Sequence, residues 1–351
     1  MANKIRITLL AFIVSFSVFA EEINIDSLKQ HLPSHFSGQV YIKKEGVNVC
    51  NYYQGFTERI YGTPINDSTL FNLGEISHSF VYYFIQHLVS LNQLKITGPV
   101  QKYIKDFPYP NITINHLLNH ESGLPSSYVR FYHKKQFQNS DVKMHAKSIR
   151  FDNDDIIELL SKVKPSLQFQ PGDSSSYSDL NFLLLSSVIE RTTFTPFKDF
   201  SDRLFKYQNF VFTPVISEGN DTIQRKAYGY RYFEDESYSL FENLNSLGFP
   251  FSDGTNGNQH MYLSAKDLSL WGQFLFKNMD SDVMKSYPNR SFFGGFKYDN
   301  ELEVIVNKGA FGGSYHHLIY DPVRKLNIAI TSNVFKDKDD FTELLQWLIV
   351  N

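Results

Sequence analysis

The chain has one cysteine, Cys50, so no internal disulfide can form and the fold must stand on its core. Cys50 sits in a strand-like run with no neighbouring His or Lys in sequence. It reads as a small buried hydrophobe rather than an activated thiolate. There is no Lys/Arg-rich run, and the formal net charge is only -3. That excludes the clustered basic excess a nucleic-acid surface needs. Internal repeats, low-complexity tracts and Pro/Ser-rich linkers are absent too. After the first twenty residues no segment is long and apolar enough to span a bilayer.

What is present is globular. Hydrophobic residues make up 42% and charged residues 20% of 351 positions, enough for a large core. The first segment has the pattern of a secretory signal. Lys4 and Arg6 form the positive end, Ile7 to Phe19 the apolar stretch, and Val18 and Ala20 the small residues before a cut ahead of Glu21. Cleavage is expected after residue 20, giving a secreted or periplasmic chain with no transmembrane segment. Residues 21–351 read as a single module.

Along that module, Asp26-Ser27 caps a short helix at Leu28 to Leu32. Gln39 to Ile42 and Val47 to Tyr53 flank a turn at Lys44-Glu45-Gly46 and form a hairpin. From Ile76 the apolar residues Phe80, Val81, Phe84, Ile85, Leu88 and Val89 recur at helical spacing. Further helices are expected at 114–118 behind Thr113, at 151–164, at 180–192, and at 265–276 behind Ser264. Strands return at 291–298, 302–306, 315–320 and 326–331, and a helix over 340–350 closes the chain. The fold class is therefore α+β. An antiparallel sheet is built from both termini, about residues 21–74 and 285–351, beside a largely helical lobe of about 75–284.

Three motifs stand in order. They are Leu117-Leu118-Asn119-His120-Glu121-Ser122-Gly123-Leu124-Pro125; Gln170-Pro171-Gly172 ahead of Tyr177-Ser178-Asp179; and Asn307-Lys308-Gly309 followed by Gly312-Gly313. Over roughly residues 36 to 335 this order resembles the penicillin-binding-protein and class C β-lactamase superfamily of serine hydrolases. The resemblance implies a site between a sheet lobe and a helical lobe. It implies a serine at the head of the long helix, a lysine one turn later, and backbone N–H groups that hold the oxyanion.

At those slots this sequence departs. With Phe71-Asn72-Leu73-Gly74 in register, Glu75 stands where the serine belongs and His78 where the lysine belongs. Ser77 and Ser79 lie nearby, but three residues on from them stand Phe80 and Tyr82, so a shift of register does not restore the motif. The positions matching catalytic residues are Glu75, His78 and Tyr177; those matching substrate-binding residues are Asp179, Asn307 and Gly309. Lys308 should face away from Asn307 and Gly309. Glu75 reads equally well as a helix N-terminal acid. It could also pair with His78, while a metal site would lack a third ligand. His120 and Ser122 read as structural members of their turn, and of His316 and His317 only one can face a pocket. No cofactor or metal is called for. With two carboxylates added and a lysine lost, the site should be neutral to acidic. Such a site suits a binding or regulatory module for cell-wall peptides, another small molecule or a protein partner. The competing expectation is an active hydrolase of esters, amides or D-amino-acid peptides using Glu75, His78 and Tyr177, or a serine not yet recognised.

Overall fold

A computed structural model describes residues 22–128, 150–217, 222–241, 251–277, 279–286, 290, 293–337 and 341–350. The signal sequence expected at residues 1–20 lies outside them. The expected α+β fold is observed. Its centre is a six-stranded antiparallel sheet made of β1 (Gly38–Lys44), β2 (Val47–Gln54), β3 (Lys297–Asp299), β4 (Val304–Phe311), β5 (Ser314–Asp321) and β6 (Leu326–Ser332), in the spatial order β3-β4-β5-β6-β1-β2. The two termini thus meet in one sheet, where Val40 faces Ile330 across the β1–β6 seam.

Local chemistry sets the turns. Between β1 and β2, Glu45 and Gly46 take φ of +50° and +86°. Both central residues of this tight hairpin loop are thus left-handed, which matches the twist of the flanking strands. At the β5–β6 turn the Asp321 carboxylate accepts from the N–H groups of Val323 and Arg324, both at 2.9 Å.

Both faces of the sheet are covered, which is why every residue of β6 is buried. On one face α1 (Ile25–His31) and α9 (Thr342–Val350) bury Leu28, Leu344 and Leu348 against Val40, Ile42, Ile319 and Ile328. On the other lies α7 (Ala265–Phe276), whose Ser269 carbonyl accepts from Asn327 Nδ2 at 2.7 Å. Beyond α7 the core continues into α2 (Ser77–Ser90), α3 (Ile114–Leu118), α4 (Asn153–Val163), α5 (Asp179–Thr193) and α6 (Phe197–Tyr207), with α8 (Ser281–Ser286) at its edge. Trp271 of α7 sits at the join, its ring stacked 4.2 Å from Phe80 of α2.

The hairpin and the helices behind Thr113 and Ser264 form as expected, and Ser264 Oγ accepts from the Asp267 N–H at 3.1 Å. Three differences appear. Asn24, not Asp26-Ser27, caps α1: its Oδ1 accepts from the N–H groups of both, at 2.9 and 3.0 Å, because they already lie in the first turn. Helix α6 follows Pro196 and was not anticipated, although Phe197, Ser201, Leu204 and Phe205 bury one face at helical spacing. The late strands are displaced: β3 begins only at Lys297, since Phe293, Gly294 and Gly295 all have positive φ. Strand β4 then runs through Asn307 to Phe311.

His316 and His317 point to opposite faces of β5, and both are buried. His316 Nε2 donates to the Asn72 carbonyl at 2.6 Å, and burial pushes its pKa down to about 3. His317 lies among Tyr315 and Phe341 with no partner for either ring nitrogen among the described residues. Burial first, then the charges of Lys308 and His316, hold its pKa well below the ordinary histidine value.

Two outcomes follow from this packing. Unfolded histidine takes up a proton near pH 6.5, which folded His317 does not, so the folded state binds fewer protons below that pH. Stability should be full above about pH 6.5 and fall below it, by up to about 1.4 kcal/mol per pH unit for each such histidine. His317→Phe should flatten this acid limb in urea melts taken between about pH 7 and 5; an unchanged limb would refute the assignment. The second concerns β4. A Cβ on Gly309 would lie 2.1 Å from the Leu73 carbonyl oxygen, so Gly309→Ala should cost about 1–3 kcal/mol by forcing β4 off the head of α2. Thermal melts measure that cost.

Candidate active site

The site grows from a close backbone approach. Residues Gly74–Ile76 form a single 3₁₀ turn that leads into α2. Gly74 takes φ of +54°, and a Cβ there would sit 2.7 Å from the Ala310 nitrogen. With Gly309 against Leu73 on the other side, strand and turn are pressed together backbone to backbone. Asn72 secures the turn, its Oδ1 accepting from the Gly74 N–H at 3.1 Å and its Nδ2 donating to the Tyr262 hydroxyl at 3.2 Å.

This approach delivers the Ala310 N–H to Glu75. It donates to Glu75 Oε2 at 2.6 Å, and the backbone N–H of Glu75 itself bonds the same carboxylate. Two N–H groups from separate elements converge on one anionic group. That is the arrangement an oxyanion hole presents to a developing negative charge, here filled by a side chain of the chain itself. Burial raises the Glu75 pKa, opposed by the two N–H bonds, Ala310 first.

His78 lies one turn further along α2. Its ring stacks on Phe182 at 3.9 Å and lies 6.0 Å from the Tyr177 ring. Among the described residues no hydrogen bond or ion pair joins it to Glu75. Burial, and then His120, hold its pKa well below the ordinary value against a bond with the Asn258 backbone, so the ring is neutral at pH 7. Nε2 has no partner among the described residues.

His120 and Ser122 are the structural knot expected of them. His120, at φ +54°, accepts at Nδ1 from Asn181 Nδ2 at 2.8 Å and from the Ser178 N–H at 3.3 Å. Ser122 Oγ donates to Asn181 Oδ1 at 2.7 Å. Burial, with Lys297 adding to it, pushes the His120 pKa down to about 4.

Tyr177 and Asp179 come from the segment that starts α5. The Tyr177 ring is part-exposed, and its pKa is driven far above the usual phenol value by burial of the hydroxyl, then by Glu75 and Asp179. Asp179 accepts from the Ser127 side chain and from the N–H groups of Leu180 and of Asp179 itself. Burial outweighs these bonds and, with the Glu75 charge, brings its pKa up to about 7. Its Oδ1 is buried without a partner among the described residues.

Strand β4 carries the rest. Lys308 is exposed and faces away from Asn307 and Gly309, as the strand period requires. Asn307 is 2% exposed and lies beneath the 294–295 turn, where a Cβ on Gly295 would meet its Oδ1 at 2.9 Å. Gly309 is taken up by its packing against Leu73 and Ile76. The structure therefore brings Glu75, His78, Tyr177 and Asp179 together, while Asn307 and Gly309 sit as packed members of the wall.

Among the described residues the helix head offers no other accessible hydroxyl. Ser79 Oγ donates to the Ile76 carbonyl at 2.7 Å and accepts from Trp271 Nε1 at 2.8 Å, deep in the core. Ser77 is fully buried and its hydroxyl has no partner among the described residues. Nor, among the described residues, do three or more His, Cys, Asp or Glu side chains gather closely enough to hold a metal ion. Sequence reasoning missed Ala310, Phe182 and Asn258. Ala310 immediately follows the third motif and Phe182 lies three residues beyond Asp179 on α5, so spacing could have indicated both; Asn258 carries no such signal.

The Beta-lactamase family profile matches residues 29–350. "Penicillin-binding protein 4*" of Bacillus subtilis (strain 168) is 27% identical over 270 residues, which are 76% of this chain and 57% of that protein. The chain thus spans little more than half the length of this relative. Among solved structures, EstCE1, "a hydrolase with promiscuous acyltransferase activity", superposes with a TM-score of 0.73 at 16% identity, covering 92% of this chain and 99% of the other. A penicillin binding protein from Bacillus halodurans gives 0.71 at 19% identity, with 93% and 99% covered. With the profile matched over nearly the whole described chain, and the sheet, helices and three motifs in place, the protein belongs to the Beta-lactamase family.

Proposed function

We propose that this protein is an exported Beta-lactamase-family member that has left serine acyl transfer and acts by binding, as a receptor or regulator for a cell-wall peptide, another small molecule or a protein partner. The observation that carries this reading is the Glu75 carboxylate seated on the N–H groups of residues 75 and 310. Acyl transfer needs that pair of donors free for the oxyanion of a tetrahedral intermediate. Here a resident anion uses them and would repel a second one. A carboxylate in the nucleophile slot could attack only to give an anhydride, not the ester-type acyl-enzyme of a serine hydrolase. Export rests on the signal pattern at residues 1–20.

An active hydrolase built on Glu75, His78 and Tyr177 fits the geometry less well. A base needs an orienting partner within hydrogen-bond reach, and Glu75 is bonded to Ala310 instead of His78. His78 is flat against Phe182. The neighbouring acids add to burial in raising the Tyr177 pKa above the usual phenol value, which works against its phenolate form.

The test is covalent labelling together with turnover. Labelled penicillin and a fluorophosphonate should both leave the purified protein unmodified by mass spectrometry. Ester, amide and D-amino-acid peptide substrates should show no turnover above buffer. A mapped serine adduct, or turnover that disappears in Glu75→Ala, would overturn the proposal.

A further inference from the structure

The glycines that end the third motif, Gly312-Gly313, form the turn from β4 to β5 and take no part in the Glu75 site. They are pressed against the backbone of residues 229–230. A Cβ on Gly229 would lie 1.8 Å from the Gly312 carbonyl oxygen, and one on Gly313 would lie 2.7 Å from the Tyr230 nitrogen. A Cβ on Gly312, by contrast, would meet nothing within 4 Å, so that side of the turn is left open. Gly312 lines a cavity of about 350 Å³, a size that suits a small ligand. Glu75, His78, Tyr177 and Asp179 do not line it, so the acidic character of their site does not extend to it.

The walls of this cavity are fixed by backbone bonds. The Leu70 N–H donates to the Arg225 carbonyl at 2.9 Å, and the Ala227 N–H donates to the Leu70 carbonyl at 2.8 Å. The Tyr228 N–H donates to the Thr57 carbonyl at 2.8 Å, while the Tyr228 carbonyl accepts from Asn333 Nδ2 at 2.8 Å. Facing residues 226–229 stand Asn72 and Tyr262, both buried and bonded to each other through their side chains. The lining chemistry is one-sided. Lys226 is the one charged side chain among the described residues that line the cavity, and Leu240, Phe241 and Phe311 add apolar surface. The Lys226 ammonium lies 5.4 Å from the Tyr228 ring centre and 5.5 Å from that of Tyr262, so two aromatic faces hold it at the wall. An ammonium carries three donors and no acceptor, which suits an anionic oxygen and not a second cation.

We propose that this cavity binds a small aromatic carboxylate, its anionic end at Lys226 and its ring among Tyr228, Phe241 and Phe311. The cation supplies orientation and the aromatic walls supply contact area, the usual division of labour in a small-molecule site. Because the walls are already bonded in place, little ordering cost falls on the protein when the ligand enters. Binding here is independent of the role proposed for Glu75, which does not line the cavity. The two sites still share a wall: Asn72 lines the cavity and its Oδ1 accepts from the Gly74 N–H in the turn that carries Glu75.

Isothermal titration calorimetry on the full mature chain tests this with three probes: phenylacetate, its neutral isostere phenylacetamide, and acetate, which keeps the charge and lacks the ring. Phenylacetate should bind, and the other two should bind at least about tenfold more weakly. Lys226→Met keeps the apolar stem and removes the charge. It should bring phenylacetate down to the phenylacetamide level, thermal melts verifying that the variant is folded. No binding of phenylacetate, equal binding of phenylacetamide, or an unchanged Kd in folded Lys226→Met would each overturn the proposal. Equal binding of acetate would reduce the cavity to a general anion site and overturn it as well. If Lys226→Met does not fold, the comparison of the three probes on the unaltered chain decides the matter. A serine adduct or turnover in the labelling assays would defeat the non-enzymatic reading and leave this cavity standing, while failure of phenylacetate to bind would leave that reading untouched.

Discussion

One carboxylate, held by two backbone N–H groups, joins the two halves of this site. Glu75 belongs to the turn that starts α2, and Ala310 belongs to β4, yet the bond between them is 2.6 Å. Charge-assisted bonds of that length are the stronger kind and fix geometry as well as energy. The contact is possible only because the backbones of residues 73–76 and 309–310 touch without intervening side chains. Gly74 and Gly309 make that approach, and a Cβ on either would collide with backbone atoms.

The electrostatic character of the site follows from the same replacement. A cationic lysine one turn into α2 would offset acidic neighbours. His78 does not, because burial keeps it neutral. Asp179 feels the Glu75 charge, and among the described residues the groups that favour its ionised form are neutral donors. The rings of Phe182, His78 and His120 pack together and are buried, and that burial raises the cost of charge there. The result is a site whose carboxylates hold protons more tightly than usual and whose histidines hold them less.

Much of this was legible in the chain. The hairpin at Glu45-Gly46, the caps Thr113 and Ser264, and the apolar stripe of α2 are local signals, and each forms where its residues predict. The structural role of His120 and Ser122 also followed from their motif, as did the outward Lys308. Less was legible where conformation depends on neighbours far away in sequence. The strand expected at 291–298 is cut short because Gly294 and Gly295 pack against His78 and Asn307. The cap of α1 was misplaced by two residues since Asn24, Asp26 and Ser27 are all good capping types. Asn307 and Gly309, which match substrate-binding positions, are both buried, Gly309 against Leu73 and Ile76.

The sequence alone determined which residue stands in each motif slot, and hence that an acid and an imidazole replace a hydroxyl and an amine. It also determined the α+β class, through periodicity and turn residues that act over a few positions. Only the tertiary structure decided where the Glu75 carboxylate points. A carboxylate at a helix head can cap its own helix, pair with a residue one turn on, or reach across to another element, and nothing local separates these. The choice is made by the Ala310 N–H, 235 positions away along the chain, brought within 2.6 Å by the pairing of the sheet.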